Sequence, residues 1–372
     1  GVSLAAIGGV LLALRMLDFL QDPLLGRLVD RLGPAQSVAA TTAAAVLALS
    51  MLALFAVTPM FDPLLWFFVV LAVLFTCFSF LTILIYAQGV GMAPRLGSGG
   101  HVRIAAWRES GSLAGVCLAS VVPAVLTAAG VVSPMTGFAI LFAGLAMVAA
   151  GLMHPVWSVA MSPAGSLRAV IRDAGLRRLV IVGLFNAAPI AVTSTLFLFY
   201  VDDRLQAEAM SGPLLLLFFL SAAASVPLWS GLAARIGPKR SLIWGMTLSV
   251  AAFAFAAPLG AGDVALFVLV CIASGAALGA DMTLLPALFA NRIEVARISG
   301  GQAFGLWNFC TKFTLALAAA TVLPALDYSG FDQDGPNTQE TLFFLSMLYA
   351  VVPCVLKLVA IGILAASNLE EV

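Results

Sequence analysis

The first apolar stretch of the chain carries three charged residues. Arg15, Asp18 and Asp22 are spaced i, i+3 and i+7, so a helix would project all three from one face. Two carboxylates one turn apart, with a guanidinium beside them, can bind a small cation or share a proton. Alternatively, Arg15 only neutralises one aspartate and holds helices together. We favour a cation or proton site because two carboxylates exceed what one arginine neutralises.

Three more charged residues lie deep in apolar stretches, where an unpaired charge is costly and usually marks a pathway. Lys312 is too far from either end of its stretch to reach water easily, and a salt bridge to Asp18 or Asp22 would satisfy it. That bridge either breaks and reforms in function or is structural. Asp281 either lines a cavity or is hydrogen-bonded within the helices. Lys357 has no obvious partner, so we expect a structural or lipid-facing position.

The elements that must position these residues are membrane helices. Hydrophobic residues make up 62% of the 372 residues, charged residues 10%, and the mean hydropathy is +1.09. Soluble domains are about 25% charged, whereas about 20 consecutive apolar residues make one membrane-spanning helix. Zero formal net charge implies no nucleic-acid partner. All five cysteines lie in apolar runs, which argues against a disulfide framework.

The apolar runs predict an all-α polytopic protein with about eleven spans. They cover 3–26, 37–57, 64–90, 105–129, 135–153, 179–200, 212–234, 241–259, 263–290, 301–325 and 342–367. Lysine and arginine concentrate in alternate gaps, and cytoplasmic loops carry that excess. We therefore expect Gly1 outside and Val372 in the cytoplasm, in a bacterial inner membrane.

An internal repeat explains the odd number of spans. DPLLGRLVDRLGPAQS (22–37) aligns with VPLWSGLAARIGPKRS (226–241), so the first span corresponds to the seventh. We expect two six-helix bundles with the first helix absent: residues 1–153, a cytoplasmic linker 154–178 containing Ser162-Pro163 and an amphipathic stretch, and residues 179–372. Duplicated halves are typical of secondary transporters.

Local motifs strengthen this interpretation. Gly26-x-x-x-Asp30-Arg31-x-Gly33 resembles the loop signature of the major facilitator superfamily, although Pro34 and Ala35 replace its basic residues. The stretch from Arg15 to Pro23 resembles the second helix of the sugar (glycoside-pentoside-hexuronide):cation symporters related to melibiose permease. We expect Asp30 and Arg31 to clamp helix ends rather than contact a substrate.

The resemblance continues along most of the chain. Tyr86-Ala-Gln-Gly resembles the end of that family's fourth helix and Trp107-Arg108-Glu109-Ser110 its fifth; Trp307-Asn308 precedes Lys312, where the eleventh helix carries a functional lysine. The resemblance implies that Arg108 acts in substrate binding or gating, with Glu109 in gating. By its residues alone, an adjacent Arg–Glu pair at a helix end is ordinary. Tyr86 and Trp307 could stack on a sugar ring, although such aromatics more often pack.

The sequence departs from the family at the coupling-ion site. Thr82 stands where sodium-coupled members have an aspartate, leaving Ser79 and Thr82 as neutral oxygens, and Gln21 replaces an asparagine. Losing a carboxylate favours a proton over sodium. We therefore expect a secondary transporter, not an enzyme: a monomer in the lipid bilayer that moves a small solute such as a sugar or glycoside with H⁺ or Na⁺ and holds no cofactor or metal.

Two other functions stay open. A lipid or lysolipid transporter on the same fold fits the low density of hydrogen-bonding side chains in the spans, and a non-transporting sensor or scaffold is disfavoured by the intramembrane charges. Both histidines, His101 and His154, lie in loop regions, and there is no phosphate-binding glycine–lysine loop. An intramembrane hydrolase, a metalloprotease and an ATP-driven pump are therefore unsupported.

Overall fold

A computed structural model describes residues 4–158, 166–333 and 335–367, and these residues form helices joined by turns and loops, with no strand. Ser162-Pro163 of the predicted linker lies outside the described residues. The α-helices are α1 Leu4–Leu20, α2 Asp22–Arg31, α3 Gln36–Phe55, α4 Pro63–Met92, α5 Gly100–Ala128, α6 Pro134–Met153, α7 Leu167–Arg172, α8 Ala174–Phe199, α9 Ser211–Ile236, α10 Pro238–Ala256, α11 Val264–Val295, α12 Gly300–Tyr328, α13 Gln339–Ser346 and α14 Val352–Ala365.

Nine helical segments within the described residues are long and apolar enough to cross a membrane. They contain α3, α4, α5, α6, α8, α9, α11, α12 and the continuous run from α13 to α14. The other two predicted spans are helical but are not among the segments that are both long and apolar enough to cross a membrane. The first is divided between α1 and α2, and α10 is 19 residues long with Lys239 and Arg240 in its first turn.

The first predicted span is interrupted by a turn at Gln21, directly between the two aspartates. Pro23 is at the start of α2, where a missing backbone N–H costs little because it would have no intrahelical partner. Gln21 itself keeps right-handed helical dihedral angles. The chain direction therefore changes little at this turn, and Asp18 and Asp22 stay on neighbouring positions of one face.

The chain forms two compact units that interleave along the sequence. Unit 1 comprises residues 1–96, 118–172 and 293–312, and unit 2 comprises residues 97–117, 173–292 and 313–372. Segments 97–117 and 293–312 thus group differently from the division expected from the repeat. Lys312 is the last residue of unit 1, which places it in the same unit as Asp18 and Asp22.

Each unit has its own packing. In unit 1, α4 packs against α1, α2 and α3, and α3 also packs against α6. In unit 2, α14 packs against α8 and α10. Unit 2 also contains a buried aromatic cluster: the rings of Tyr200 and Tyr349 stack with centroids 4.2 Å apart, and the Tyr200 hydroxyl donates to the Ala256 carbonyl at 2.6 Å. Each tyrosine lies in a π-helical segment, Tyr200–Arg204 or Met347–Val351.

Candidate cation and solute site

The Lys312 ammonium lies at the centre of a polar cluster in unit 1. Its Nζ donates to Asp18 Oδ1 at 2.7 Å and to Ser79 Oγ at 2.6 Å. Asp22 is on the same ammonium, with Oδ1 at 3.2 Å and Oδ2 at 3.1 Å. Ser79 Oγ in turn donates to Asp18 Oδ1 at 3.1 Å. The expected pairing of Lys312 with Asp18 or Asp22 is confirmed, and Lys312 contacts both.

Side-chain exposure differs within the cluster, from partly exposed to fully buried. The side chains of Lys312 and Asp18 are 20% and 16% exposed, whereas that of Asp22 is 0% exposed. With all three groups ionised, two carboxylates face one ammonium and the cluster carries one excess negative charge. A buried charge imbalance is costly, so the cluster can be stabilised by one added proton or cation.

Close contact between α2 and α12 brings the lysine to the aspartates. A Cβ atom on Gly26 would overlap the Gly301 carbonyl oxygen, and one on Gly305 would lie 2.7 Å from the Asp22 carbonyl oxygen. Only glycine leaves room for this approach. Lys312 follows Gly305 by about two helical turns. The close approach of α2 and α12 at these glycines therefore brings the Lys312 side chain within reach of Asp18 and Asp22.

Asp30 fixes the start of α12. Its Oδ1 and Oδ2 accept hydrogen bonds from the backbone N–H groups of Gly301 and Gln302, at 2.8 and 3.0 Å. These N–H groups have no intrahelical acceptor, and a carboxylate at a helix N-terminus also faces the positive end of the helix dipole. Burial raises the pKa of Asp30 above its usual value, and its hydrogen bonds act in the opposite direction. The prediction that Asp30 clamps a helix end is confirmed.

The other residues of the loop signature behave differently. Arg31 is exposed and, within the described part of the chain, makes no hydrogen bond or ion pair, so its expected clamp is not seen. Gly33 has φ +48°, a conformation that side chains with a Cβ adopt rarely. It begins the short helical turn Gly33–Ala35 that leads into α3.

The alternative role given to Arg15, that of neutralising one aspartate, is wrong. Arg15 is exposed and, among the described residues, makes no hydrogen bond or ion pair with Asp18 or Asp22. The Lys312 ammonium occupies the position between the two carboxylates instead. The spacing along α1 correctly predicted which helix face carries these residues, but it carried no information about the Lys312 ammonium, which belongs to α12.

The neutral oxygens near the aspartates come partly from residues other than those predicted. Thr76 Oγ1 donates to Gln21 Oε1 at 2.8 Å and to the Ala72 carbonyl. Thr82 makes no hydrogen bond with the cluster within the residues described, so of the two α4 residues predicted for the site only Ser79 is part of it. Gln21 binds Thr76 rather than Lys312. Thr76 lies one turn before Ser79, and that spacing was the signal that could have revealed it.

Aromatic residues pack around α12. The ring of Tyr86 is edge-on to Phe304 with centroids 4.9 Å apart, and Phe19 is edge-on to Phe309 at 5.8 Å. Trp307 and Asn308 are half-buried on the same helix, one turn before Lys312. Tyr86 therefore has the packing role that aromatics in membrane helices usually have, and its stacking on a solute stays a prediction.

Arg108 and Glu109 form an ion pair, with Nε and Oε1 2.7 Å apart. The Glu109 side chain is 3% exposed and that of Arg108 16%. The interpretation of this pair as an ordinary feature of a helix end is wrong, because α5 begins at Gly100 and both residues lie more than two turns inside it.

A second ion pair is enclosed in unit 2. Lys357 Nζ donates to Asp281 Oδ2 at 2.5 Å and to Asn186 Oδ1 at 2.6 Å. All three residues are buried, and Lys357 is 1% exposed. The lipid-facing alternative for Lys357 is therefore wrong, and of the two roles left open for Asp281 the structure shows hydrogen bonding within the helices. Asn186 was missed because one polar amide in an apolar run gives no sign of its partners.

Comparison with known proteins agrees with this architecture. Residues 1–371 match the family described as MFS/sugar transport protein. The chain is 28% identical over 207 residues to the "Glucuronide carrier protein homolog" of Escherichia coli K12, covering 54% of this chain and 45% of that protein. It is 22% identical over 205 residues to the "Sodium-dependent lysophosphatidylcholine symporter 1-A" of Danio rerio, covering 53% and 38%. The chain thus spans under half the length of each of these relatives.

Solved structures share the fold. A bacterial homologue of the iron transporter ferroportin, in its outward-facing state, superposes with a TM-score of 0.72 at 16% identity, covering 98% of this chain and 90% of that one. Members of the matched family are transporters rather than enzymes. The helices, the family match and this likeness together show that the chain is an integral membrane protein of the major facilitator superfamily and belongs to the MFS/sugar transport protein family.

Proposed function

We propose that the chain is a cation-coupled symporter of a small organic solute, such as a sugar or glycoside, working by alternating access. The observation that carries the proposal is the Lys312 cluster, in which one ammonium faces two carboxylates inside a membrane helix bundle. Intramembrane charges of this kind are retained at a cost and mark ion or proton pathways.

A proton fits the cluster better than sodium. Lys312 already occupies the position between Asp18, Asp22 and Ser79, so sodium has to displace an ammonium to reach these oxygens. A proton can instead bind to one carboxylate while Lys312 stays on the other. Binding of a proton then removes the excess negative charge and needs no set of coordinating oxygens, which a sodium ion would need.

The solute class rests on the relatives. The Escherichia coli relative is named a glucuronide carrier homolog, which favours a glycoside. A lysolipid is the second candidate, favoured by the Danio rerio relative named a lysophosphatidylcholine symporter. The sodium dependence in that name makes sodium the coupling ion to test against the proton.

Uptake by the purified protein in proteoliposomes tests the proposal. We expect an imposed inward proton gradient to drive accumulation of a labelled glycoside, and an equal sodium gradient to drive none. Asp22→Asn should lose accumulation because it removes a carboxylate of the cluster. Asp62→Asn is the matched control: Asp62 is an exposed N-cap of α4 in the same unit, and asparagine caps helices as well as aspartate does.

Three results contradict the proposal. Sodium-driven accumulation with no response to protons overturns proton coupling, and accumulation of lysophosphatidylcholine but of no glycoside reassigns the solute. If neither gradient drives uptake of either solute, the symporter function itself is wrong.

A further inference from the structure

Arg15 is a charged membrane-helix residue that the Lys312 cluster does not use. It is exposed and, across the residues that the structure describes, has no hydrogen bond or ion pair. A guanidinium in a span is stable only when paired or hydrated. The side chain therefore has to face water or a ligand rather than hydrocarbon.

The helix geometry indicates which side of α1 Arg15 occupies. At 100° per residue, Arg15 lies about 60° from Asp18 and about 20° from Asp22 around the helix. Exposed apolar side chains of α1 lie on both sides of Arg15: Leu12, Met16, Leu20 and Leu17 lie about 60° to 200° further around the helix, and Leu11 lies about 40° in the other direction, between Asp22 and Asp18. Arg15 thus lies on the side of the helix that carries the two carboxylates, next to exposed apolar side chains.

Exposure falls along this face from Arg15 to Asp22. Arg15 is exposed, the Asp18 side chain is 16% exposed and the Asp22 side chain is 0% exposed. A solute that reaches this face therefore meets the guanidinium first, next to the accessible end of the cluster.

Arg15 also differs from the other cations deep in the helices, because none of the described residues supplies it with a counter-charge. Lys312 faces Asp18 and Asp22, Lys357 faces Asp281, and Arg108 faces Glu109. An arginine fork binds carboxylate or phosphate oxygens through two parallel hydrogen bonds. Resting on the proposed function, we propose that Arg15 is a specificity-determining residue that binds an oxyanion of the transported solute.

The charges of the two sites couple solute and cation binding. Before loading, the excess negative charge of the cluster repels a solute oxyanion held at Arg15, one turn away. A proton or cation on Asp18 or Asp22 removes that repulsion, so each ligand raises the affinity for the other by the same factor. The oxyanion can be the carboxylate of a uronide or the phosphate of a lysolipid.

Equilibrium binding to the purified protein tests the inference with two matched pairs of probes. Phenyl glucuronide is compared with phenyl glucoside, and lysophosphatidylcholine with monoacylglycerol. We expect the charged member of one pair to bind more tightly, and Arg15→Gln to weaken it by about 10- to 100-fold, the value of hydrogen bonds to a charged group. Binding of the neutral member should not change. The pair that responds identifies the source of the oxyanion.

Two further variants keep the test interpretable. Arg15→Lys retains the charge without the fork, so it should bind with intermediate affinity even if Arg15→Gln folds poorly. Arg95→Gln removes an exposed arginine of the same unit, in the short helical turn Ala93–Leu96 that follows α4, and should bind like the wild type.

The inference is overturned if neither charged probe binds, if each neutral probe binds as tightly as its charged partner, or if Arg15→Gln weakens both members of a pair equally. Because binding needs no gradient, this failure is distinct from a failure of the proposed symport, which would leave the binding preference intact but abolish gradient-driven accumulation.

Discussion

At the scale of residues, the two lysines deep in the helices have different surroundings. Lys312 faces two carboxylates and is partly accessible, so its cluster has an excess negative charge that a ligand can remove. Lys357 faces one carboxylate and one amide and is closed off, so its charges already balance. Of these two sites, it is the Lys312 cluster whose excess negative charge favours binding of another positive charge.

The Lys357–Asp281 pair should contribute structure rather than coupling. Lys357→Met or Asp281→Asn alone leaves one buried group without its counter-charge, and we expect either to lower the unfolding free energy by about 3–5 kcal/mol. The double variant removes both charges and should recover most of that loss. Thermal unfolding of the purified protein measures this, and a double variant that is less stable than either single variant contradicts it.

The sequence supplied the identities of the charged residues but not all of their partners. The depth of Lys312 within an apolar run and the family resemblance both indicated that it is a functional residue. Its pairing with Asp18 and Asp22 was predicted because their charges are opposite. Lys357 and Asp281 are 76 residues apart, and nothing in their local patterns joins them. The alternative that Arg15 neutralises one of these aspartates failed for the same reason, because i, i+3 spacing describes one helix and Lys312 comes from another.

At the scale of elements, the crossing of α2 and α12 positions the site. Gly26 and Gly305 allow backbone contact, and Asp30 holds the first N–H groups of α12. The loop signature in the sequence pointed to Gly26 and Asp30. It did not reveal their partner, because contact between segments more than 270 residues apart leaves no periodic signal.

Gly26→Ala tests this crossing. The new Cβ overlaps the Gly301 carbonyl oxygen, so we expect a loss of about 1–3 kcal/mol in unfolding free energy from overpacking, together with weaker coupled uptake. Gly111→Ala is the matched control: Gly111 is helical with nothing within 4 Å of the added atom, and alanine there should be neutral or slightly stabilising. Equal unfolding temperatures for the two variants would falsify a close crossing.

At the scale of the whole molecule, composition and the repeat were enough to predict the helical transporter fold. Hydrocarbon leaves a chain of this composition little alternative to helices. Helix ends were less predictable: α5 and α8 begin five residues before the predicted spans, because interfacial helix turns carry arginines that hydropathy excludes. The grouping of residues 97–117 and 293–312 depends on tertiary contacts and was not expected.

Unit 2 contains an ion pair whose effect should depend on pH. Arg292 Nη2 and Asp173 Oδ2 are 2.8 Å apart, and Asp173 Oδ1 accepts from the Leu176 N–H at the start of α8. The hydrogen bond from Arg292 lowers the pKa of Asp173, which lies outside the spans. A lowered folded-state pKa stabilises the fold above the ordinary value of about 3.9 and loses that effect as pH falls through the folded value.

Asp173→Asn removes the charge and keeps a helix cap. We expect the wild type to unfold at a higher temperature than Asp173→Asn at pH 7, with the difference shrinking below about pH 4. A difference that is constant or grows in acid would contradict a stabilising ionised pair.

Substrate-driven proton movement tests the central claim, that the Lys312 cluster carries the coupling ion, most directly. A glycoside is added to a weakly buffered suspension of proteoliposomes, and the external pH is followed. We expect the wild type to make the medium more alkaline as protons enter with the solute, and Asp62→Asn to do the same. Asp22→Asn should exchange labelled for unlabelled glycoside across the membrane without moving protons. Proton uptake that persists in Asp22→Asn, or wild-type transport that leaves the external pH unchanged, contradicts the account.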